Sequence, residues 1–183
     1  MGLPFTCMPA SIDETPQPGL NPRQVAEDLA IKKVMAVAKK LKSSHSSLLI
    51  PHSSFIFGAD TIVVFNNKIY GKPEDRGEAG TMLRMLAGKK HEVITAMAIH
   101  NRQNNKTDCR SVSCDVEFAP LTEAEIQWYL DTGEWQGVAG AYQLQNLGGC
   151  LIKSINGSPS AVAGLPLHDF YVMLRDNGCR FGA

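Results

Sequence analysis

The run Gly58-Ala59-Asp60-Thr61 places a carboxylate inside an apolar stretch, with Phe55-Ile56-Phe57 before it and Ile62-Val63-Val64-Phe65 after it. A run this rich in β-branched and aromatic residues predicts a buried strand. An ionised group resists leaving water, so Asp60 must be paired, hold a metal or take part in chemistry. The bland alternative, an aspartate satisfied by backbone amides or by an arginine, stands beside these. Further on, Asn66-Asn67 predicts a tight turn that sends Lys68-Ile69-Tyr70 back along the strand. That hairpin carries Lys72, in Gly71-Lys72-Pro73, to the sheet that holds Asp60. The glycine permits close approach of a ligand and the proline holds the backbone, although a lysine beside a turn is by default solvated. A carboxylate and a lysine meeting at a sheet edge suit a phosphorylated substrate with a metal ion.

The elements that must position these two are legible in outline. Asn21-Pro22 predicts a helix start, with the helix running to about Lys42. Ala26, Leu29, Ala30 and Val37 share a face of it, and Lys33 falls on that face. Taken alone, Lys33 reads as a side chain that snorkels its ammonium to water. The Ser/His-rich stretch from Ser43 to Ser54 reads as a surface loop. Asp75 starts a second helix whose buried face is Ala79, Met82, Leu83 and Leu86, with Gly88 as its stop. Strands follow over His91 to His100, over Arg110 to Phe118 and around Leu151 to Ile155, the second with Arg110, Val112, Cys114, Val116 and Phe118 on one face. Thr122 to Glu125 has capping-box spacing ahead of Ile126, Tyr129 and Leu130. A last helix buries Leu167, Phe170, Tyr171 and Leu174. Strands and helices interleave without strict alternation, which predicts one α/β domain over residues 1–183: a sheet flanked by helices, with no internal repeat.

Bulk composition excludes several classes. Eighteen basic residues balance eighteen acidic ones, so no global field points to nucleic acid or to a membrane surface. No apolar stretch approaches the length of a membrane span. The N-terminus has no signal-peptide pattern, and the expectation is a cytoplasmic protein. Five scattered cysteines, without a C-x-x-C pair, argue against disulfide staples and a zinc site.

Other candidates are weak singly. Glu14 lies in a proline-rich entry segment, where a solvated loop is the default. Ala139-Gly140-Ala141-Tyr142, with Gln145 after it, reads as a sharp turn into a strand. The glycine-rich stretch from Asp131 to Gly149 has neither of the common phosphate-binding spacings. Their order is more informative. Ile12-Asp13-Glu14, a helix carrying Leu29, Ala30 and Lys33, then Gly-Ala-Asp-Thr, Gly-Lys-Pro, Leu-x-Gly-Lys-x-His-Glu-Val from Leu86 to Val93, Gly-Ala-Tyr-x-x-Gln and Gly-Leu-Pro-Leu occur in that sequence. This series resembles the Maf family of nucleoside triphosphate pyrophosphatases over essentially the whole chain.

The resemblance implies a mixed α/β fold with a mixed sheet and two lobes around a cleft, similar to the inosine triphosphatase fold. It implies cleavage of a nucleoside triphosphate between the α- and β-phosphates with a divalent metal, Mg2+ or Mn2+. Carried over by motif, Asp60 would accept a proton from the attacking water beside the metal. Lys33 and Lys72 would neutralise the phosphates as charge builds, and Glu14 would assist at the metal or the water. Thr61 and Gln145 fall where the similar branch shows preference for dTTP and UTP. The reading admits a homodimer.

Family members usually begin with a strand and a Ser-x-Ser-Pro-Arg-Arg loop that embraces the triphosphate. Nothing like it precedes Ile12 here, and the expectation is a start codon placed too late, with an impaired short form as the other choice. Two further functions stay open at this point: a nucleotide-binding regulator of septum formation without turnover, and a house-cleaning hydrolase for modified pyrimidine nucleotides.

Overall fold

A computed structural model describes residues 3–43 and 55–179. Helix α1 spans Pro22–Ser43. Its start is held reciprocally, since Asn21 Oδ1 accepts from the Gln24 amide at 3.0 Å and Gln24 Oε1 accepts from the Asn21 amide at 3.0 Å. This is the capping-box logic with amide side chains. Strand β1 follows at Phe55–Phe65 and β2 at Lys68–Tyr70. Asn66 and Asn67 between them both adopt positive φ, 49° and 60°, as a two-residue turn of this kind requires. Helix α2 covers Arg76–Leu86, capped by Asp75, whose side chain accepts from the Glu78 amide. Strands β3, Lys90–Asn101, and β4, Lys106–Phe118, form a long hairpin. Helix α3, Glu123–Asp131, begins with the expected capping box. Two 3-10 turns at Ala139–Ala141 and Leu147–Leu151 lead to β5, Ile152–Asn156. The short helix α4, Pro159–Val162, and α5, Leu167–Asp176, complete the order.

The five strands form one sheet in the order β2-β1-β3-β4-β5. The α/β class stands as expected. The described strand pairings are antiparallel throughout rather than mixed, because β1–β2 and β3–β4 are joined by tight hairpins that only an antiparallel ladder allows. Central β3 is buried on both faces, which explains its nearly unbroken apolar run. Along it, Ile94, Ala96 and Ala98 face α1, while Val93, Met97 and Ile99 face the α2–α5 side.

Helix α1 covers the first face with Ala26, Ala30, Val34, Ala38 and Leu41, against Ile56, Ile62 and Val64 of β1. Burial of each such branched side chain contributes roughly 1.5–3 kcal/mol. The opposite face holds the larger core, including Leu83, Leu86, Phe118, Tyr129 and Tyr142. Asp75, the burial of Ala79, Met82, Leu83 and Leu86, and the α3 face of Ile126, Tyr129 and Leu130 match the periodicity. The last helix differs. It buries Met173 and Leu174, whereas Leu167 is 50% and Tyr171 40% exposed. Its inner face meets Met97 and Ile99 of β3, so Met173 takes the inward position that the apolar spacing gave to Leu167 and Tyr171. Ala139–Tyr142 enters a 3-10 turn rather than a strand, with Gly140 at φ 68°. The expected serine-rich loop lies outside the described residues. No helix among the described residues is long and apolar enough to cross a membrane.

Candidate active site

Alternation along β1 puts Gly58, Asp60 and Ile62 on the face that meets α1, and Thr61 and Val63 on the other. Gly58 lets the helix approach closely. A Cβ built there would lie 2.8 Å from Val34 Cγ2 and 3.4 Å from the Ala30 carbonyl oxygen. Without that side chain α1 packs onto the strand, and Lys33 is brought down beside Asp60.

Lys33 Nζ donates to Asp60 Oδ1 at 2.5 Å and stands 3.0 Å from Glu14 Oε1. Glu14 in turn accepts from Lys72 Nζ at 3.2 Å through its other oxygen. Asp60, Lys33, Glu14 and Lys72 therefore form one continuous chain of alternating sign. Asp60 and Lys33 are the buried end, with side chains 10% and 22% exposed, and Lys72 is the open end at 56%. Lys33 does not snorkel: its ammonium turns inward onto two carboxylates. Lys72 meets Glu14 directly and Asp60 only through the intervening pair. Glu14 is no bystander in a solvated loop but the link between both lysines.

The electrostatics follow the burial. Burial pushes the Asp60 carboxyl above its ordinary range, against the pull of the Lys33 ammonium. Burial disfavours the Lys33 ammonium, but the Asp60 and Glu14 carboxylates outweigh it and hold its pKa above the usual value. The hydrogen bond from Lys33 keeps Glu14 below the ordinary carboxylate range. A cavity of about 360 Å³ reaches two members of this cluster, Glu14 and Lys33, with Met8, Ser11, Phe57 and Gly58 among its other lining residues; Asp60 and Lys72 do not line it. A larger hollow of about 540 Å³ is lined by Ile12, Asp13, residues 15–18 and Lys32; none of the four charged members of the chain lines it.

Thr61 and Gln145 lie elsewhere. Thr61 faces the opposite side of the sheet, where its Oγ1 is 2.9 Å from Thr95 Oγ1. Gln145 is exposed and donates to Gln143 Oε1 at 3.3 Å. Neither is joined to the ionic chain by a described contact. Sequence reasoning passed over Thr95, because a threonine inside a strand breaks no pattern. Among the described residues no group of three or more His, Cys, Asp or Glu side chains is placed to hold a metal ion.

Comparison with known proteins agrees with the order of motifs. The profile of the family described as "Maf-like protein" matches residues 1–177. A dTTP/UTP pyrophosphatase of Pelotomaculum thermopropionicum is 40% identical over 178 residues, which cover 97% of this chain and 88% of that protein. The dTTP/UTP pyrophosphatase of Halalkalibacterium halodurans is 42% identical over 167 residues, covering 91% and 82%. That of Salmonella typhimurium is 40% identical over 157 residues, covering 86% and 78%. A profile match over nearly the full length, with relatives at this identity, establishes that the chain belongs to the Maf-like family.

Proposed function

We propose that this chain hydrolyses dTTP and UTP between the α- and β-phosphates, releasing the nucleoside monophosphate and pyrophosphate. The observation that carries the proposal is the Lys33 ammonium shared between Asp60 and Glu14, with Lys72 on the outer oxygen of Glu14. The chain has two negative and two positive members, so it is neutral as it stands. A triphosphate can take over the two lysines while a divalent cation takes over the two carboxylates, and no buried charge is then left unpaired. A lone buried charge would cost several kcal/mol, which makes an exchange of partners the favourable route.

Within this reading Asp60 accepts the proton of the attacking water. Its burial suits the role, since a carboxyl with a raised pKa is a stronger base than a free aspartate. Lys33 and Lys72 hold the phosphate oxygens and offset the charge that grows on them. Asp60 and Glu14 would hold a divalent cation, Mg2+ or Mn2+. Mg2+ is commonly bound by one or two carboxylates together with substrate phosphates, and these two carboxylates already share one cation, the Lys33 ammonium. The metal would supply Lewis-acid neutralisation of the phosphates. Thr61 and Gln145 contact the base.

The test is a product analysis with dTTP, UTP, CTP, ATP and GTP in the presence of Mg2+ or Mn2+. Release of pyrophosphate and monophosphate, fastest from dTTP and UTP, is expected. Release of orthophosphate and diphosphate would contradict the bond assignment. Nucleotide binding without any release would favour a regulator instead.

A further inference from the structure

Thr61 and Thr95 are directly opposed in the β1–β3 ladder, and a threonine pair in that register can share a hydrogen bond. Which hydroxyl donates is fixed by a third atom. Thr95 Oγ1 donates to the Ala161 carbonyl of α4 at 2.8 Å, and a hydroxyl has one proton to give. Thr95 has no exposed surface, so water offers it no alternative. The proton in the 2.9 Å contact between the two hydroxyls therefore belongs to Thr61. With its proton turned inward, Thr61 can offer a ligand only its oxygen lone pairs.

The surroundings leave that oxygen approachable. Thr61 is half-buried. Gly164, at φ 100°, stands beside it, and a Cβ on Gly164 would come within 3.5 Å of Thr61 Oγ1. The outer edge of β1 pairs with β2 only over Val63 to Phe65, so no described strand pairs with that edge beside Asp60 and Thr61. A nucleotide crossing that edge can present phosphates to the Lys33 ammonium beside Asp60 on one face and its base to Thr61 on the other.

We propose that Thr95 is a positioning residue for base selection: by donating to Ala161 it turns Thr61 into an obligatory acceptor, which matches the imide N3–H of uracil and thymine and rejects the bare N3 of cytosine. The relay rests on the pyrophosphatase reading for its substrate and adds the reason for the preference. A site built to meet a ligand N–H discriminates strongly, because a mismatch sets two lone pairs against each other.

Binding of α,β-methylene analogues of UTP, CTP and N3-methyl-UTP to the full chain tests this, with pyrophosphate release from UTP followed in the same preparation. The wild type is expected to bind the uridine analogue at least about tenfold tighter than the other two. Thr95→Val frees the Thr61 hydroxyl to rotate and should bring the UTP-to-CTP ratio close to one, whereas Thr95→Ser keeps the relay and the ratio. A folded Thr95→Val protein with the wild-type ratio overturns the relay, as does a wild type that binds the N3-methyl and parent analogues equally. The second comparison needs no variant, so a Thr95→Val chain that fails to fold leaves the question answerable. Discrimination without pyrophosphate release would overturn the enzymatic reading and keep the relay; release from UTP and CTP alike, with equal binding, would overturn the relay alone.

Discussion

Gly58 and Val34 are in contact across the β1–α1 interface so closely that a single methyl group on Gly58 would meet Val34 Cγ2 at 2.8 Å. Real Cβ atoms essentially never approach a neighbour this closely, so in Gly58→Ala the contact must give, and an outward shift of α1 is the expected response because the valine is stiff at χ1. Overpacking of this kind costs about 1–3 kcal/mol. Lys33, one residue before Val34, moves with the helix and away from Asp60. Gly58→Ala should therefore lower both the melting temperature and turnover. Adding Val34→Ala removes the opposing methyl groups, and the pair should recover most of the lost activity. A double variant as slow as the single one would show that the spacing of α1 does not set the Lys33–Asp60 contact.

Titration of Asp60 provides a second prediction. Its folded pKa is raised by burial and pulled back by Lys33, so in the metal-free protein the carboxyl should titrate at a higher pH than an ordinary aspartate. In Lys33→Met the ammonium that favours the ionised form is gone, and the Asp60 pKa should rise further. The carbon-13 resonance of the Asp60 carboxyl, followed against pH in both proteins, checks the order. An unchanged or lower midpoint in Lys33→Met would contradict the coupling.

Glu14 pairs with both lysines, and under the proposed function it competes with the substrate for them. In Glu14→Gln the lysines lose one partner each, and the cluster acquires a net positive charge. Affinity for a metal-free triphosphate should increase, while the metal concentration needed for half-maximal turnover should rise. Titration of UTP with and without Mg2+ reads the two effects separately. Weaker metal-free binding in the variant would mean that Glu14 aids phosphate binding rather than opposing it.

Stability should carry a pH dependence from the other side of the sheet. His91 is buried at 4% exposure, with Nε2 2.7 Å from the Tyr142 hydroxyl. Burial depresses its pKa from 6.5 to about 4. Between those values the unfolded chain takes up a proton that the folded chain refuses. The contribution is complete above pH 6.5 and is lost as pH falls towards about 4, a loss of about 3 kcal/mol by linkage. Urea melts across that interval should show it, and His91→Phe, which cannot titrate, should flatten the dependence.

The parts of this account that were legible in the sequence are those in which one residue violates a local pattern. Asp60 stands out in an apolar strand, Asn66-Asn67 marks a turn, and Asp75 and Thr122 announce helix starts; each is a local event and each is found in the structure. What could not be read depends on how elements meet. Lys33 looks like any amphipathic helix lysine until the approach allowed by Gly58 sets it on Asp60. Glu14 acquires its meaning only when the entry segment lays it between two lysines. Leu167 and Tyr171 have the apolar spacing of a core face, yet the rotation of α5 against β3 leaves them exposed. Thr95 is an ordinary strand residue by type, and only the register with Thr61 and the carbonyl of Ala161 single it out.

The most direct test of the central claim is pyrophosphate release from UTP by Asp60→Asn beside the wild type. The amide can still accept from Lys33, and Glu14 still neutralises that ammonium, so the fold should persist at a cost of about 1 kcal/mol. Turnover should fall by about 10²–10⁴-fold, the usual worth of a general base, with UTP still bound. A folded Asp60→Asn protein that releases pyrophosphate at the wild-type rate would contradict the assignment of Asp60 as the base.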